Sequence, residues 1–417
     1  MKKTKPANAK RNNAEEEEKP CNILQLPDHI TQEIFGRLPL ETLTQCKFVC
    51  KSWRRSLSNP DFTQFLVSRA PACHFLIDMN ENKHVLANLR SPGNPNNMVL
   101  KLSNPNIDSY DWLNNSDIVG SSNGFLCSYR RNNHGVYFNI SNPIITKESI
   151  ALPIFKDRLT DDGDGIHAFG FGFGFSSISH VYKVTVFRER NPPCNNKAEF
   201  MVLTVGSGIW RSIGNVSSLI DTHYGVFHNG FLHWICKCKR SPNSRYIRAF
   251  DVESEHFNSL PMPPCGETIA TLGVLNDSLS VTCFSSQKLQ VWLRKEDGGK
   301  TFWIIELEIY ERCLGYPNEH VCQVLKIIKR KKALLLRDFK LSLYTIETRS
   351  LVGVQIDGIP YEARLAMEGV HTPTILSPKD IIRNYVSKHS EEVDETTKRK
   401  KKKTNQKKHK TASTRTT

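Results

Sequence analysis

The stretch Leu26-Pro27-Asp28-His29-Ile30-Thr31-Gln32-Glu33-Ile34-Phe35-Gly36-Arg37-Leu38-Pro39, continued to Val49-Cys50-Lys51-Ser52-Trp53, decides how the chain is organised. Pro27 stands where a helix begins, with its φ already set and no N–H to leave unpaired. Asp28 then puts negative charge against the positive end of the helix dipole. Ile30, Ile34, Phe35 and Leu38 recur at i, i+4, i+5 and i+8, one apolar helical stripe. Pro39 is expected to end this helix, because the residue before a proline is pushed out of the α region. A second apolar set, Leu40, Leu43, Val49, Cys50, Trp53 and Leu57, continues at mostly helical spacing until Asn59-Pro60 stops it. Two or three short helices in about forty residues make a unit whose own core is marginal. Its stripes are wider than such a bundle can cover, and leftover apolar surface calls for a partner. Periodicity alone leaves two readings open: a partner-docking unit, or a helical hairpin packed on the next domain.

Outward from this stretch the pattern changes. Residues 1–20 are polar and charged without periodicity and read as disordered. A short helix is expected around Asp61–Leu66. From His74 to Ser377, apolar or alternating runs of four to eight residues are split by Asn, Asp, Gly, Ser and Pro clusters, the signature of strands and turns. Three hairpins carry Asn-Gly or a stand-in at the tip: Asn123-Gly124, Asn229-Gly230 and Asn276-Asp277. Such a tip suits a type I′ turn, which needs positive φ twice. Second hairpins follow at Phe138–Pro143, Ala249–Ser254 and Val291–Lys295, with further ones at Thr204–Trp210 and Ser342–Ile346. Anchors at Asn142, Gly206, Asp251, Lys295 and Thr345 are 64, 45, 44 and 50 residues apart. The long interval contains the polar Pro-Pro stretch Arg188–Lys197, read as a loop insertion. Two hairpins per unit make four strands, so the repeat predicts an all-β, propeller-like domain of about six or seven blades. The rival arrangement is a pair of β-sandwiches.

Composition narrows the function classes. The chain has 417 residues, 39% of them hydrophobic, and contains no apolar run of eighteen, so no membrane association is expected. The start Met1-Lys2-Lys3-Thr4-Lys5 leads into polar residues without an apolar core, which does not read as a secretory signal. Twelve cysteines in that setting read as free thiols in a reducing compartment. Residues 396–417 hold ten Lys or Arg and no acid, leaving only +5 of the +15 net charge for the rest of the chain. The basic character therefore belongs to a tail. Asp380–Val386, just before it, can form one or two amphipathic turns.

Several motifs invite chemistry. Gly120-Ser121-Ser122-Asn123-Gly124 fits the G-x-S-x-G pattern of a nucleophile elbow, yet a strand-like run follows it where that chemistry needs a helix. It reads as a structural turn. Gly170-Phe171-Gly172-Phe173-Gly174-Phe175 has no third glycine at dinucleotide spacing and no helix after it. Alternation puts its phenylalanines on one face of a strand and lets a neighbour approach the glycines. His228, His233, Cys236 and Cys238 are zinc-type ligands close in sequence, but small strand cysteines commonly face a core, and no metal or other cofactor is assigned. Asp161-Asp162-Gly163-Asp164-Gly165 fails calcium-loop spacing and reads as a solvated loop.

Two families show in the residues. Leu26-Pro27-x-x-Ile30-x-x-x-Ile34-x-x-Arg37-Leu38-Pro39-x-x-x-Leu43-x-x-x-x-x-Val49-Cys50-Lys51-Ser52-Trp53 resembles the F-box, with Cys46 and Lys47 standing where that family often has arginine and a hydrophobe. Gly120–Cys127, Ser141–Thr146, Gly170–Phe173 with Tyr182-Lys183-Val184, Trp210–Ile213, Gly225–Trp234, Ala249–Asp251 and Leu260-Pro261 together resemble plant F-box-associated domains, relatives of kelch propellers. The resemblance implies a multidomain chain: a disordered segment 1–20, a small all-α F-box over 21–66, a propeller-like domain over 74–377 and a basic, mostly disordered tail over 378–417. It also implies a substrate-recognition subunit of an SCF-type (Skp–cullin–F-box) E3 ubiquitin ligase, without catalysis of its own. Its partners would be a Skp-type adaptor, through it a cullin–RING ligase, and an unknown protein substrate. The adaptor contacts implied are Leu26, Pro27, Ile30, Ile34, Leu38, Leu43, Val49, Cys50 and Trp53.

Two other function classes stay on the table: a propeller enzyme or lectin-like binding module, and a nucleic-acid-associated factor acting through the tail. The tail residues Lys398, Arg399, Lys400, Lys401, Lys402, Lys403, Lys407, Lys408 and Lys410 form a dense basic cluster suited to nuclear import. It lacks the aromatic residues that stack on bases, so no specific nucleic-acid contact is expected. The expected location is nuclear, with a cytoplasmic pool allowed.

Overall fold

The computed structural model describes residues 26–38, 40–69, 73–78, 83–88, 98–101, 117–145, 148–156, 165–191, 197–217, 219–238, 244–265, 270–285, 287–314, 322–355 and 365–387. The segment 1–20, the Asp161–Asp164 loop, most of the Pro-Pro stretch and the basic cluster fall outside them. The chain divides into two units after Phe62.

In the helical unit, α1 (Asp28–Phe35) starts behind Pro27, whose ψ of 145° is extended. It stops three residues before the expected end at Leu38. Gly36 keeps helical backbone, and Arg37 and Leu38 then donate to Ile34 and Phe35 at i→i+3 spacing, the tightened last turn common at helix ends. Next come α2 (Leu40–Cys46) and α3 (Lys51–Leu57), where the Cys50 Sγ caps α3 by accepting from the Trp53 amide at 3.4 Å. Asn59 caps α4 (Pro60–Arg69) through its Oδ1, which accepts from the Asp61 and Phe62 amides at 2.8 and 3.1 Å. Phe35 meets Trp53 edge-on at 5.0 Å and Phe62 at 6.3 Å, with Leu43 and Leu57 also buried.

Among the described residues, strands of the second unit form six antiparallel sheets, five of them built wholly from consecutive strands. β1 (Cys73–Asp78), β2 (Lys83–Asn88) and β3 (Met98–Lys101) come first. β4 (Asp117–Ser122), β5 (Phe125–Asn132), β6 (Gly135–Ser141) and β7 (Ser149–Ala151) make the next sheet. β8 (Gly165–Ser176), β9 (Val181–Asn191), β10 (Lys197–Thr204) and β11 (Trp210–Ser217) follow. A five-stranded sheet holds β12 (Leu219–Ile220), β13 (Val226–His228), β14 (Phe231–Lys237), β15 (Arg245–Asp251) and β16 (Phe257–Pro261). Then come β17 (Ala270–Leu275), β18 (Ser278–Ser285), β19 (Lys288–Asp297) and β20 (Lys300–Tyr310). After the short α5 (Glu311–Leu314), β21 (Cys322–Ile328), β22 (Lys332–Arg337), β23 (Lys340–Thr345) and β24 (Ser350–Gly353) complete the series. β25 (Leu365–His371) returns to pair with β1, so the first sheet is made from both ends of the domain.

The innermost strands neighbour one another in turn: β4 beside β8, β8 beside β13, β13 beside β17, β17 beside β21, and β25 beside both β4 and β22. That ring of small antiparallel sheets is a β-propeller. The three tips expected from sequence are type I′ turns, with φ of 44° and 89° at Asn123-Gly124, 47° and 82° at Asn229-Gly230, and 48° and 53° at Asn276-Asp277. One anchor moves. Val291–Lys295 lies inside β19, and the turn sits at Gly298-Gly299, both with positive φ. The strand simply continues through the charged residues Arg294–Asp297 until glycines permit the reversal.

Beyond β25 the chain does not leave the domain at Ser377. A helix over residues 378–387 follows, and Ile381 and Leu376 join the core formed by the β4–β7 and β8–β11 sheets. The boundary of the basic tail therefore shifts past this helix, because Ile381 on its inner side is buried in the domain core.

Closure of the ring uses two buried histidines. His74 on β1 donates its Nε2–H to the Leu325 carbonyl of β21 at 2.9 Å, and His371 on β25 contacts Ser121 on β4 at 2.8 Å through Nδ1. Burial lowers the pKa of His74, and it lowers that of His371 to about 3 and of His233 to about 4. All three are neutral in the fold, whereas an unfolded histidine titrates near 6.5. As pH falls below about 6.5 the unfolded chain binds protons that the folded chain refuses. Each group then removes up to about 1.4 kcal/mol of stability per pH unit. The urea midpoint of the full chain is expected to drop between pH 7.5 and 5, and His371→Asn to make that drop shallower; a flat pH profile refutes the assignment.

Candidate functional sites: the helical surface and the axial cavity

The helical unit offers an apolar surface. Phe48 is 88% exposed and Val49 62%, adjacent in the turn between α2 and α3, and Ile30 on α1 is 39% exposed. Pro27 is exposed, while Leu26, Ile34, Leu38, Cys50 and Trp53 are half-buried. Leu43 is different: at 1% exposure it faces inward and serves the unit's own core. A helical period cannot separate inward from outward residues on a stripe wider than the core it covers. Phe48 was not among the residues singled out from sequence, since it lies in a turn where no helical spacing selects it. The signal available was an apolar pair, Phe48-Val49, between two polar-flanked helices. Such large apolar side chains standing together in water mark contact sites more often than single ones do.

The propeller holds a cavity of about 550 Å3 on its axis, walled by the innermost strands. β4 ends at Ser122, and Asn123-Gly124 form a tight turn into another strand, so Ser122 is no nucleophile elbow. The neighbouring Ser121 does touch His371, but that ring is fully buried and its Nε2 has no partner. A general base is oriented by an acid or carbonyl behind its ring, and among the described residues His371 has none. His228 and His233 donate instead to the Asp277 and Val226 carbonyls, each at 3.2 Å. Cys236 is buried in the core with Trp234, and the described residues contain no group of three metal-type ligands.

The Gly-Phe alternation of β8 positions one wall of this cavity. Phe171, Phe173 and Phe175 are buried in the core shared with the β4–β7 sheet. The glycines face the other way. A Cβ on Gly172 would lie 2.7 Å from Thr185 Oγ1 and 2.8 Å from Trp234 Cζ2, and one on Gly174 would meet Val252 and Phe227. Glycine thus lets the β12–β16 sheet close onto β8. Ten cysteines among the described residues are unbridged.

A small helical unit ahead of a propeller that closes strand β25 onto β1 defines a two-module chain. Residues 23–65 match the F-box domain, and residues 73–375 match the F-box associated beta propeller domain. The chain belongs to the F-box associated β-propeller family. It is 27% identical over 321 residues to the F-box protein At3g07870 of Arabidopsis thaliana, covering 68% of this chain and 72% of that one. It is 24% identical over 400 residues to the F-box protein CPR1 of the same plant, covering 83% and 88%. It is also 25% identical over 295 residues to the F-box/kelch-repeat protein At3g23880 of Arabidopsis thaliana, covering 67% and 78%.

Proposed function

We propose that this protein is the substrate-recognition subunit of an SCF-type E3 ubiquitin ligase, its F-box docking a Skp-type adaptor and its propeller holding a protein substrate. The observation that carries this reading is the exposed apolar surface of Phe48, Val49 and Ile30 on a unit whose sequence matches the F-box. A unit this small gains from covering such a surface with a partner. The chain itself would break and form no bonds. Ubiquitin transfer belongs to other subunits, and the receptor contributes proximity, raising the effective concentration of the substrate lysine. The basic cluster 398–410 acts as the nuclear import signal, so deletion of residues 396–417 moves the protein out of the nucleus without loss of adaptor binding.

The test is co-purification of a Skp-type adaptor with the full chain, with a Pro27→Ala, Leu38→Ala double mutant and with a Phe48→Asp, Val49→Asp double mutant. Retention by the first and loss by both variants, at unchanged melting temperature, is the expected result. Hot-spot truncations at such a surface cost about 2 kcal/mol or more each, roughly thirtyfold in affinity. Failure of the folded wild-type chain to bind any Skp-type adaptor ends the reading.

A further inference from the structure

The axial cavity has a composition that adaptor docking leaves unused. Its volume of about 550 Å3 falls within the range of small-molecule sites. Its polar wall is made of hydroxyls and carboxamides: Ser121, Ser122 and Asn123 at the end of β4, Thr271 on β17, Ser280 on β18 and Gln323 on β21. Phe175, Tyr224 and Phe227 add aromatic surface. Two residues of this wall carry polar atoms without a partner in the protein. Ser122 Oγ, in a residue only 3% exposed, and Gln323 Oε1 are buried without any hydrogen-bond partner. Leaving such atoms unpaired is costly, and a hydroxyl-bearing ligand can pair them.

The wall is also nearly free of charge. Among the described residues that line the cavity there is no Lys or Arg, Asp277 is the only acid and His228 the only imidazole. His228 spends its Nε2–H on the Asp277 carbonyl, and its pKa is lowered, chiefly by burial. His371, which holds Ser121 from behind, is neutral as well. A phosphate or carboxylate entering here would be desolvated without a counter-charge, which disfavours it against a neutral ligand. Serine and threonine hydroxyls both donate and accept, as the hydroxyls of a polyol do, and an aromatic face packs against its C–H surface.

We propose that the axial cavity is a binding site for an uncharged, hydroxyl-rich small molecule of sugar size, anchored by Ser122 and Gln323. The proposal does not depend on adaptor docking, and its test contains no adaptor, so the two can fail separately. The full chain is titrated with glucose, sucrose and glucose 6-phosphate, and binding is read by saturation-transfer NMR and calorimetry. A neutral sugar is expected to bind with a Kd of about 1 mM or tighter, and glucose 6-phosphate at least tenfold more weakly than glucose. Gln323→Leu, which keeps the volume and removes the acceptor, and Ser122→Ala are each expected to weaken sugar binding about tenfold at unchanged melting temperature. Should Ser122→Ala unfold, Thr271→Val, which removes another wall hydroxyl, takes its place with the same expectation. No saturable binding of either neutral sugar up to about 10 mM, equal binding of the phosphorylated one, or undiminished binding by the folded variants would each overturn the site.

Discussion

Replacing Trp234 by alanine is expected to destabilise the propeller by about 3–5 kcal/mol, the range for deleting a buried aromatic side chain. Trp234 on β14 is fully buried, and its indole edges into Phe187 at 5.1 Å and Phe200 at 6.1 Å, which belong to the preceding sheet. Its Nε1–H donates to the Phe171 carbonyl of β8 at 3.3 Å. Two glycines make room for it: a Cβ on Gly225 would sit 2.5 Å from the indole, and one on Gly172 would sit 2.8 Å away. One side chain thus ties two sheets together, and the glycines beside it have no side-chain atoms to move into the hole. Trp234→Phe keeps part of the volume and loses the hydrogen bond, so it should cost roughly half as much. Gly172→Val approaches the contact from the other side and should be comparably damaging through overpacking. Urea unfolding of the full chain, followed by tryptophan-independent circular dichroism, measures all three. A loss below about 1 kcal/mol for Trp234→Ala would mean that the sheets do not meet through this residue.

How much of this was legible beforehand follows from where the information lies. Asn123-Gly124 and Asn229-Gly230 announce their turns because positive φ at two successive positions is a local demand that few residues meet. The alternation Phe171, Phe173, Phe175 likewise states a strand and its buried face, since the period of a strand is written into adjacent residues. Lys295 misled as an anchor because strand length is set by pairing with β20, a partner outside the local window. Leu43 and Val49 carry the same apolar signal in sequence, yet one fills the core and the other stands in water. Only the packing of three helices decides between them. The unpartnered Gln323 and Ser122 were invisible for the same reason: a missing hydrogen bond is a property of the assembled ring. The fate of residues 378–387 was half-legible, as an amphipathic turn whose destination no spacing records.

That final helix carries the second large effect, at Asn142. Asn142 follows β6, is 1% exposed, and donates both Nδ2 protons to the chain leading into the helix: to Thr374 O at 2.9 Å and Leu376 O at 2.7 Å. Its Oδ1 accepts from the Ile144 amide at 2.9 Å, which fixes the carboxamide orientation. Around it, Thr374 covers Gly124, where φ is +89° and a Cβ would collide at 2.2 Å, Ser377 bonds Glu148, and Tyr385 lies against Gly206 of the next sheet. The segment that leaves β25 therefore runs over the turns of two neighbouring sheets and clasps them. Asn142→Ala strands two buried carbonyls and is expected to cost about 2–5 kcal/mol. Asn142→Asp preserves the shape but turns a double donor into an acceptor facing two carbonyls, so it should be at least as costly. Were the side chain only filling space, the aspartate would be tolerated and the alanine would hurt more. Ile381→Ala, a cavity mutation in the same clasp, should cost about 2–4 kcal/mol alone. The double mutant with Asn142→Ala should lose less than the sum of the two single losses, because either one already loosens the segment. Strict additivity in denaturant unfolding would show that the helix and the Asn142 anchor hold the propeller independently, and the clasp would have to be given up.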